Sequence, residues 1–166
     1  MNIFKRISED LDAVMFRDPA ARNKFEVFLF YLGVHALWAH QIENWFWRHH
    51  IKLIARLLAN HTRRRTGVEI HPGATIGRRV VIDHGMGIVI GETAIVGDDV
   101  IIFHGVTLGG RTASKGKRHP TIENNVLLGA GAKILGNITI GAGSTIGANQ
   151  VVVRSVKKNT ELEFYI

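Results

Sequence analysis

The chain has 166 residues, 46% of them hydrophobic, which is enough for one folded domain with a core and excludes a disordered chain. It contains no cysteine, so disulfides, thiolate metal sites and a cysteine nucleophile are excluded. The net charge of +7 fits either a solvated basic surface or a surface that attracts a polyanion. Because no nucleic-acid-binding motif is present, a phosphorylated small molecule is the better candidate for such an anion.

The N-terminal stretch MNIFKRISEDLDAVMF carries acidic residues early and has no long apolar core, so we expect no signal peptide. The most apolar stretch, FEVFLFYLGVHALWAH, is interrupted by Glu26 and His35 and is shorter than the roughly 18 residues of a membrane span. These features predict a cytoplasmic protein that does not cross a membrane.

Residues 1–66 are predicted to form a helical N-terminal domain. Apolar positions recur every three and four residues after Asn23, which favours three or four helices. The pair Asp18-Pro19 is typical of a helix start, with the carboxylate as N-cap and proline at the first helical position. Gly33 is expected at a helix break or a close packing contact.

From Gly67 onward the apolar period changes to six. Aliphatic residues recur at six-residue intervals in three runs, which are Ile70, Ile76, Ile82, Ile88; then Ile90, Val96, Ile102, Leu108; then Ile122, Leu128, Ile134, Ile140, Ile146 and Val152. A hexapeptide repeat is typical of a β-helix, in which each unit is one short strand plus one corner and the coils stack. The sequence therefore predicts an α+β fold with a β-helix over residues 67–166, interrupted by a protruding polar loop at 110–121.

Three stretches carry a family resemblance: VEIHPGATIGRRVVIDHGMGIVIGETAIVGDDVIIFHGVTLGG, KRHPTIENNVLLGAGAKILGN, and the upstream RDPAA with GVHALWAH. Together they resemble bacterial serine O-acetyltransferases over roughly residues 16–153. The elements IDHGMG and KRHP separate this family from the sugar and drug acetyltransferases with the same repeats. The resemblance implies a left-handed parallel β-helix after the helices, and active sites between the subunits of a homotrimer, with a hexamer as the alternative.

The implied reaction transfers acetyl from acetyl-CoA to the hydroxyl of L-serine and gives O-acetyl-L-serine, a precursor for cysteine. A serine hydroxyl needs a general base, and histidine titrates near neutral pH. By resemblance His84 is this base and Glu69 its acidic partner, at a position where relatives often have Asp. The alternative for His84 is a structural histidine held by the backbone, and the alternative for Glu69 is a solvated carboxylate.

The resemblance also assigns the groups that hold the amino acid. Asp18 and Asp83 would receive its ammonium group, although Asp18 also fits a plain helix cap. Arg118 of the adjacent subunit would pair with its carboxylate through the guanidinium fork, the alternative being a solvated loop charge. His119 would bind serine or assist the tetrahedral intermediate.

Acetyl-CoA is expected as cosubstrate in a groove between two β-helices, with its pantetheine arm on backbone groups of small residues. The residues expected to bind it are Gly109, Gly110, Ala130 and Gly131, with Lys133, Lys115 or Lys117 at the phosphates. The segment KKNTELEFYI stands where relatives have a proline turn and a GVPA-like segment. Its last residue, Ile166, matches a C-terminal isoleucine that docks into O-acetylserine sulfhydrylase in this family, the alternative being a chance apolar terminus. L-cysteine is the expected feedback inhibitor at the serine site.

Two other functions stay open on the sequence. One is an acetyltransferase acting on homoserine, a sugar or an amine, and the other is a catalytically weak scaffold subunit. Some hexapeptide proteins are zinc carbonic anhydrases, and His84, His104 and His119 would be the ligands of such a site. Because the contexts DHGMG and KRHP match the serine enzymes, we expect no metal, and we interpret His104 as scaffold and His71 as a corner residue near the site.

Overall fold

The computed structural model describes residues 3–162. Four helices come first, α1 (Ile3–Arg17), α2 (Lys24–Phe30), α3 (Leu32–Arg48) and α4 (Lys52–Thr66), in agreement with the predicted three or four. The last helix ends at Gly67, whose φ of 73° is the left-handed conformation that commonly ends helices. None of the helices within 3–162 is both long enough and apolar enough to span a bilayer.

Asp18 does not begin a helix, so the predicted N-cap is wrong. It follows the end of α1, and α2 starts behind Asn23, whose side-chain oxygen accepts the N–H of Glu26 at 2.9 Å. Asp18 Oδ1 instead accepts the N–H of Ala20 at 2.8 Å and closes a turn. The Asp-Pro pair therefore forms part of the link between the first two helices.

Short parallel strands then wind into a β-helix of about five coils with three sheets. The first sheet contains β1 (Glu69–Ile70), β4 (Val89–Ile90), β7 (Thr107–Gly109), β10 (Lys133–Leu135) and β13 (Val151–Val152). The second contains β2 (Thr75–Ile76), β5 (Ile95–Val96), β8 (Thr121–Ile122) and β11 (Thr139–Ile140). The third contains β3 (Val81–Asp83), β6 (Ile101–Phe103), β9 (Leu127–Leu128), β12 (Thr145–Ile146) and β14 (Glu161–Leu162).

The six-residue period places its aliphatic residues in the interior of the coils. Ile90 pairs with Leu108, and Leu108 with Ile134, so identical positions of the repeat lie above one another. All three side chains are fully or almost fully buried. One unit cannot bury such a face alone, which is why the fold depends on stacking.

Two of the three edges of this prism carry predicted site residues, which are His84, Gly110, Lys115, Lys117, Arg118, His119, Ala130 and Gly131. The other predicted site residues of the β-helix lie in the adjoining strands. The His84 edge joins the third sheet to the first and consists of residues 84–88, 104–106, 129–132 and 147–150. The loop edge joins the first sheet to the second and consists of residues 71–74, 91–94, 110–120 and 136–138. The six-residue period slips by two between Ile88 and Ile90, and this slip lies at the end of the His84 edge, whereas the predicted loop at 110–121 lies on the loop edge.

Helix α3 packs directly on β3. A Cβ at Gly33 would overlap the carbonyl oxygen of Ile82, so the glycine is a close packing contact, as predicted. Ala36 and Leu37 join the buried cluster that fills the β-helix. The division into domains at residues 66 and 67 stays a prediction, since one core runs through both parts.

Candidate active site

His84 lies at the tip of a tight turn on the His84 edge. The N–H of Gly85 donates to the carbonyl oxygen of Asp83 at 2.7 Å, and His84 between them has a φ of 59°. For a residue with a Cβ this conformation costs about 1–2 kcal/mol. Six other non-glycine residues within 3–162 adopt it as well, so here it describes the turn and does not by itself mark a site. The turn leaves 70% of the His84 side chain exposed, so its imidazole is accessible to a ligand.

A cleft of about 350 Å³ opens between this turn and the start of α3. It is lined by Asp18, Ala20, Phe30, Tyr31, Leu32, Gly33, Ile82, Asp83 and His84. Asp83 Oδ2 lies 3.9 Å from His84 Nε2. The structure thus brings together three residues that the sequence singled out, two carboxylates for a cation and one imidazole.

Tyr31 is a further polar group of this cleft. Its hydroxyl donates to Asp18 Oδ2 at 2.6 Å. Burial and this carboxylate raise the pKa of Tyr31 to about 12, so the phenol stays protonated and remains a donor near neutral pH. Both oxygens of Asp18 therefore have a fixed donor, the other being the Ala20 N–H.

His104 lies beside His84, one coil further along the same edge. The two imidazole rings meet edge to face, with centroids 5.5 Å apart and planes at 75°. The register of β3 and β6 causes this contact, because Asp83 pairs with Phe103 and the next residues follow in step. The scaffold role predicted for His104 stays a prediction, since a ring contact assigns it no other function.

Glu69 is not among the residues that line the cleft. Its carboxylate Oε2 lies 3.2 Å from Arg63 Nε, in a small crevice between α4 and β1. Its backbone N–H donates to the carbonyl of Ile88 at 2.9 Å, so it lies next to the segment that follows the His84 turn. In this arrangement the ion-pair partner of Glu69 is Arg63.

Arg118 is fixed at the loop edge by an acidic residue that the sequence reasoning missed. Its Nη2 donates to Glu92 Oε2 at 2.5 Å, and its Nη1 donates to the carbonyl of Gly116 at 3.3 Å. The bond from Arg118 lowers the pKa of Glu92, which keeps the carboxylate ionised. The guanidinium is thus held in place and retains further N–H groups for a second carboxylate.

His119 is built into the same edge with a defined tautomer. The hydroxyl oxygen of Thr93 accepts the backbone N–H groups of Arg118 and His119, at 3.0 and 3.1 Å, so its own hydrogen is free to donate. His119 Nδ1 lies 2.9 Å from this hydroxyl and accepts the Thr93 backbone N–H at 3.2 Å. The proton of the neutral ring is therefore on Nε2, and burial lowers the pKa of His119, which favours this neutral form.

The ring of His119 is seated on Gly91. A Cβ at Gly91 would overlap its Cδ2 and Nε2 atoms, so only glycine fits below the ring. His71, the predicted corner residue, lies nearby on the same edge and packs edge to face on Trp47, with ring centroids 4.8 Å apart. Burial lowers the pKa of His71 to about 4, so it is neutral and adds no charge beside Arg118.

The residues predicted to bind acetyl-CoA divide between the two edges. Gly109 and Gly110 lead into the loop edge, whereas Ala130 and Gly131 belong to the His84 edge. Lys133 lies beside the latter pair, and its ammonium donates to the carbonyls of Gly105 and Gly131, both at 2.7 Å. That ammonium is already occupied by the backbone, and a phosphate would have to compete for it.

The two halves of the predicted site thus lie on different edges of the prism. His84, Asp83 and Asp18 meet at one edge, and Arg118 and His119 are anchored at another. No cluster of three metal-ligating side chains forms within the part of the chain that the structure describes. The expectation that no metal is needed stays a prediction.

Comparisons with known proteins agree on one family. A model of the serine acetyltransferase N-terminal region matches residues 1–39, and a model of six bacterial transferase hexapeptide repeats matches residues 119–153. Serine acetyltransferase of Bacillus subtilis is 55% identical over 153 residues, which are 92% of this chain and 70% of that protein. The enzyme of Mycobacterium tuberculosis is 58% identical over 147 residues, 89% of this chain and 64% of that protein.

The chain belongs to the serine acetyltransferase family. Among solved structures, serine acetyltransferase of Neisseria gonorrhoeae superposes with a TM-score of 0.93 at 42% identity, covering 96% of this chain and 61% of that one. Serine acetyltransferase of Brucella abortus in complex with coenzyme A also superposes with a TM-score of 0.93 at 42% identity. The match covers 96% of this chain and 64% of that one. The predicted left-handed β-helix of hexapeptide repeats is confirmed, while this chain spans only about two thirds of the length of these proteins.

Within this family's fold, sequence reasoning missed Tyr31, Glu92 and Thr93. Glu92 and Thr93 follow Gly91 at a corner of the repeat. Two polar residues at such a corner are a sequence signal that could have predicted a functional position there. Tyr31 stands alone in the apolar run FLFYLG, where a tyrosine is as readily explained by packing. Only the fold reveals that its hydroxyl reaches back to Asp18.

Proposed function

We propose that this protein is a serine O-acetyltransferase, which moves acetyl from acetyl-CoA to the hydroxyl of L-serine. The observation that carries the proposal is the cleft in which Asp18, Asp83 and an exposed imidazole, His84, meet. Two carboxylates suit an ammonium group, and the imidazole suits removal of a hydroxyl proton. The family membership supports the same reaction, because relatives that match most of this chain bear that name.

In the proposed mechanism His84 is the general base. Its imidazole takes the proton from the serine hydroxyl while the oxygen attacks the thioester carbonyl carbon of acetyl-CoA. The tetrahedral intermediate collapses, the carbon–sulfur bond breaks, and the imidazolium returns the proton to the sulfur. The products are O-acetyl-L-serine and CoA, and His84 ends in its starting state.

The amino acid would be held at both of its charged ends. Its ammonium group would lie between Asp18 and Asp83, and its carboxylate would meet the guanidinium of Arg118. His119 would offer its Nε2–H to the serine carboxylate or to the oxyanion of the intermediate. Because these groups belong to different edges of one prism, we propose that the site forms between two copies of the chain in a homotrimer, with a hexamer as the alternative.

Acetyl-CoA would lie in the groove between the two copies, along the residues predicted for it on both edges. Solved relatives carry coenzyme A, serine or cysteine, which supports these three ligands for this chain. L-cysteine would inhibit by occupying the serine subsite, since it carries the same two charged groups. We assign the protein to the cytoplasm and to the formation of the cysteine precursor.

Glu69 stays the proposed acidic partner of the base. Its backbone N–H bonds the segment that follows the His84 turn, whereas its carboxylate is held by Arg63, in an ion pair whose arginine side chain is 60% exposed. Such exposed pairs contribute at most about 1 kcal/mol, so the carboxylate can change partner at little cost.

The proposed C-terminal contact with O-acetylserine sulfhydrylase rests on Ile166, which lies outside the described residues. Deletion of Ile166 should abolish co-elution of the two enzymes in gel filtration. Unchanged co-elution after the deletion would exclude this contact.

The function is tested by thiol release from acetyl-CoA with a panel of acceptors. We expect CoA release that depends on L-serine, and much slower release with homoserine, sugars or amines. Release that is faster with another acceptor would assign a different acetyltransferase. A folded protein that releases CoA with none of them would be a scaffold subunit.

A further inference from the structure

We infer that Tyr31 is a positioning residue that fixes the Asp18 carboxylate for the amino-acid ammonium group. The inference deepens the proposed function and rests on it, because it concerns the same cleft. Its basis is the short bond from the Tyr31 hydroxyl to Asp18 Oδ2, 2.6 Å long, across thirteen residues of sequence.

Asp18 needs such support because of where it lies. It belongs to the link between α1 and α2. Its backbone N–H still donates to the carbonyl of Val14 in α1 at 2.8 Å, but its side chain lies beyond the helix end and is oriented only by hydrogen bonds of its own. Its first oxygen is fixed by the Ala20 N–H, and the second would be free to turn without the phenol. A carboxylate that is already oriented loses less conformational entropy when it binds a cation.

Tyr31 itself is held firmly. It is the junction between α2 and α3, with φ −85° and ψ 96°, so it belongs to neither helix. Its N–H donates to the carbonyl of Val27 at 3.2 Å, and its carbonyl accepts the N–H of Val34 at 3.0 Å. The break between the two helices thus points one side chain at the link that carries Asp18.

The junction is also tied to the β-helix. Two residues after Tyr31, Gly33 lies so close to Ile82 that a Cβ would overlap the carbonyl oxygen of Ile82. Ile82 directly precedes Asp83, the second carboxylate of the cleft. Tyr31 therefore sets the position of Asp18 relative to Asp83, and it connects a carboxylate of the helical region with one of the β-helix.

The phenol also suits the charge that the cleft would receive. Burial and Asp18 keep the hydroxyl protonated, with the pKa of Tyr31 at about 12, so it supports the carboxylate without adding a negative charge of its own. Asp83 lines the same cleft as Asp18 and Tyr31, so the phenol faces the site that both carboxylates share. A cation bound between them would meet two negative groups and one neutral donor.

The test is the Tyr31→Phe variant, measured by thiol release and by calorimetric binding of L-serine and L-cysteine. We expect KM for L-serine and the dissociation constants of both amino acids to rise about tenfold, as is typical for loss of a hydrogen bond to a charged group. The kcat and the KM for acetyl-CoA should stay within about twofold, because the phenol acts on binding only. An unchanged KM and unchanged binding would overturn the inference.

Trp38→Phe is the matched control. Trp38 Nε1 donates to Asp10 Oδ2 at 3.0 Å, which is also an aromatic donor on a carboxylate of the helical region, but outside the cleft. It should lower the melting temperature and leave KM for L-serine unchanged. If both variants raise KM alike, the effect of Tyr31 is general loosening and the inference is wrong.

A double-mutant cycle separates action through Asp18 from any other role. In an Asp18→Asn background, Tyr31→Phe should add less than about twofold to KM. Full additivity would overturn the inference. A wild-type protein that neither binds nor acetylates L-serine would overturn the proposed function, and this inference with it, whereas an active wild type with an unaffected variant overturns the inference alone.

Discussion

The His84 edge and the loop edge hold two histidines in opposite settings. His84 is 70% exposed at the tip of a strained turn, and its neighbours are a carboxylate at 3.9 Å and a second imidazole. His119 is 8% exposed, its Nδ1 is bonded by Thr93, and its ring rests on a glycine that admits no side chain. The difference teaches that the group proposed to exchange protons is left accessible, whereas the group proposed to present one fixed donor is built into the wall.

Removal of the accessible histidine should have the largest effect. His84→Ala should lower kcat by about 10²–10⁴-fold, the usual contribution of a general base, in a thiol-release assay. Because the side chain is exposed and packs little, the melting temperature should change by no more than a few degrees. Near-normal turnover would show that His84 is not the base.

Mixing two inactive variants tests whether the two edges of one site come from different copies. His84→Ala and Arg118→Ala should each be nearly inactive alone. If chains are unfolded together, refolded at equal amounts and assemble at random, about a quarter of the sites should combine an intact His84 with an intact Arg118. Thiol release at about a quarter of the wild-type rate is therefore expected, and no recovery in mixed assemblies would place both halves in one chain.

Gly91→Ala tests the rigidity of the loop edge. The added Cβ would displace the ring of His119, and overpacking of this kind costs about 1–3 kcal/mol. We expect a lower melting temperature together with a raised KM for L-serine. Gly110→Ala is the control for stability, since its Cβ would meet nothing nearer than the carbonyl of Arg118 at 3.4 Å, and an equal loss in both variants would exclude the packing explanation.

Glu69→Gln tests whether Glu69 supports the proposed base, His84, or only forms its observed ion pair with Arg63. If Glu69 supports His84, the substitution should lower kcat by about tenfold, since loss of a charged hydrogen bond has that size. Arg63→Ala frees the carboxylate and should leave kcat unchanged or slightly higher. If kcat of Glu69→Gln equals that of the wild type, Glu69 does not support His84 and its role is the ion pair with Arg63.

The smallest effect concerns pH and a histidine buried behind the loop edge. His40 bonds the carbonyl of Ala74 at 3.2 Å, and burial lowers its pKa to about 4 from an unfolded value of 6.5. The unfolded chain therefore binds more protons below pH 6.5, so the stabilisation is complete above that value and is lost as the pH falls toward 4. We expect about 1 kcal/mol less unfolding free energy at pH 5.5 than at pH 7 from this residue, measured by urea titration, and a flatter dependence in His40→Gln.

Much of this arrangement could be predicted from the sequence. The six-residue period fixes which residues are buried, and with it the edges on which His84 and Arg118 fall. The family motifs suggested Asp18 and Asp83, which do meet in one cleft. The burial pattern could be predicted because a repeat converts position along the chain directly into position in space, whereas the roles of Asp18 and Asp83 stay predictions.

The rest depends on contacts that no local pattern encodes. Asp18-Pro19 has the composition of a helix start, yet the helix begins at Lys24, because Asn23 caps it and the Asp-Pro pair closes a turn instead. The pairing of Glu69 with Arg63 joins a strand to the preceding helix, and the bond from Tyr31 to Asp18 joins two helix connections. Side-chain partners between separate elements are decided by packing, which a single sequence does not display.

The stacking of the coils also gives the His84 edge a regular spacing. Paired strands of a sheet lie about 4.8 Å apart, so each coil advances the edge by one such step. From His84 through His104 and Gly131 to Asn149 the edge advances three steps, about 14 Å. The distance from His84 to any group on this edge is therefore a whole number of such steps. A chain with one coil more or fewer would change how long a cofactor could extend along the edge from the proposed base, while the surroundings of His84 would stay the same.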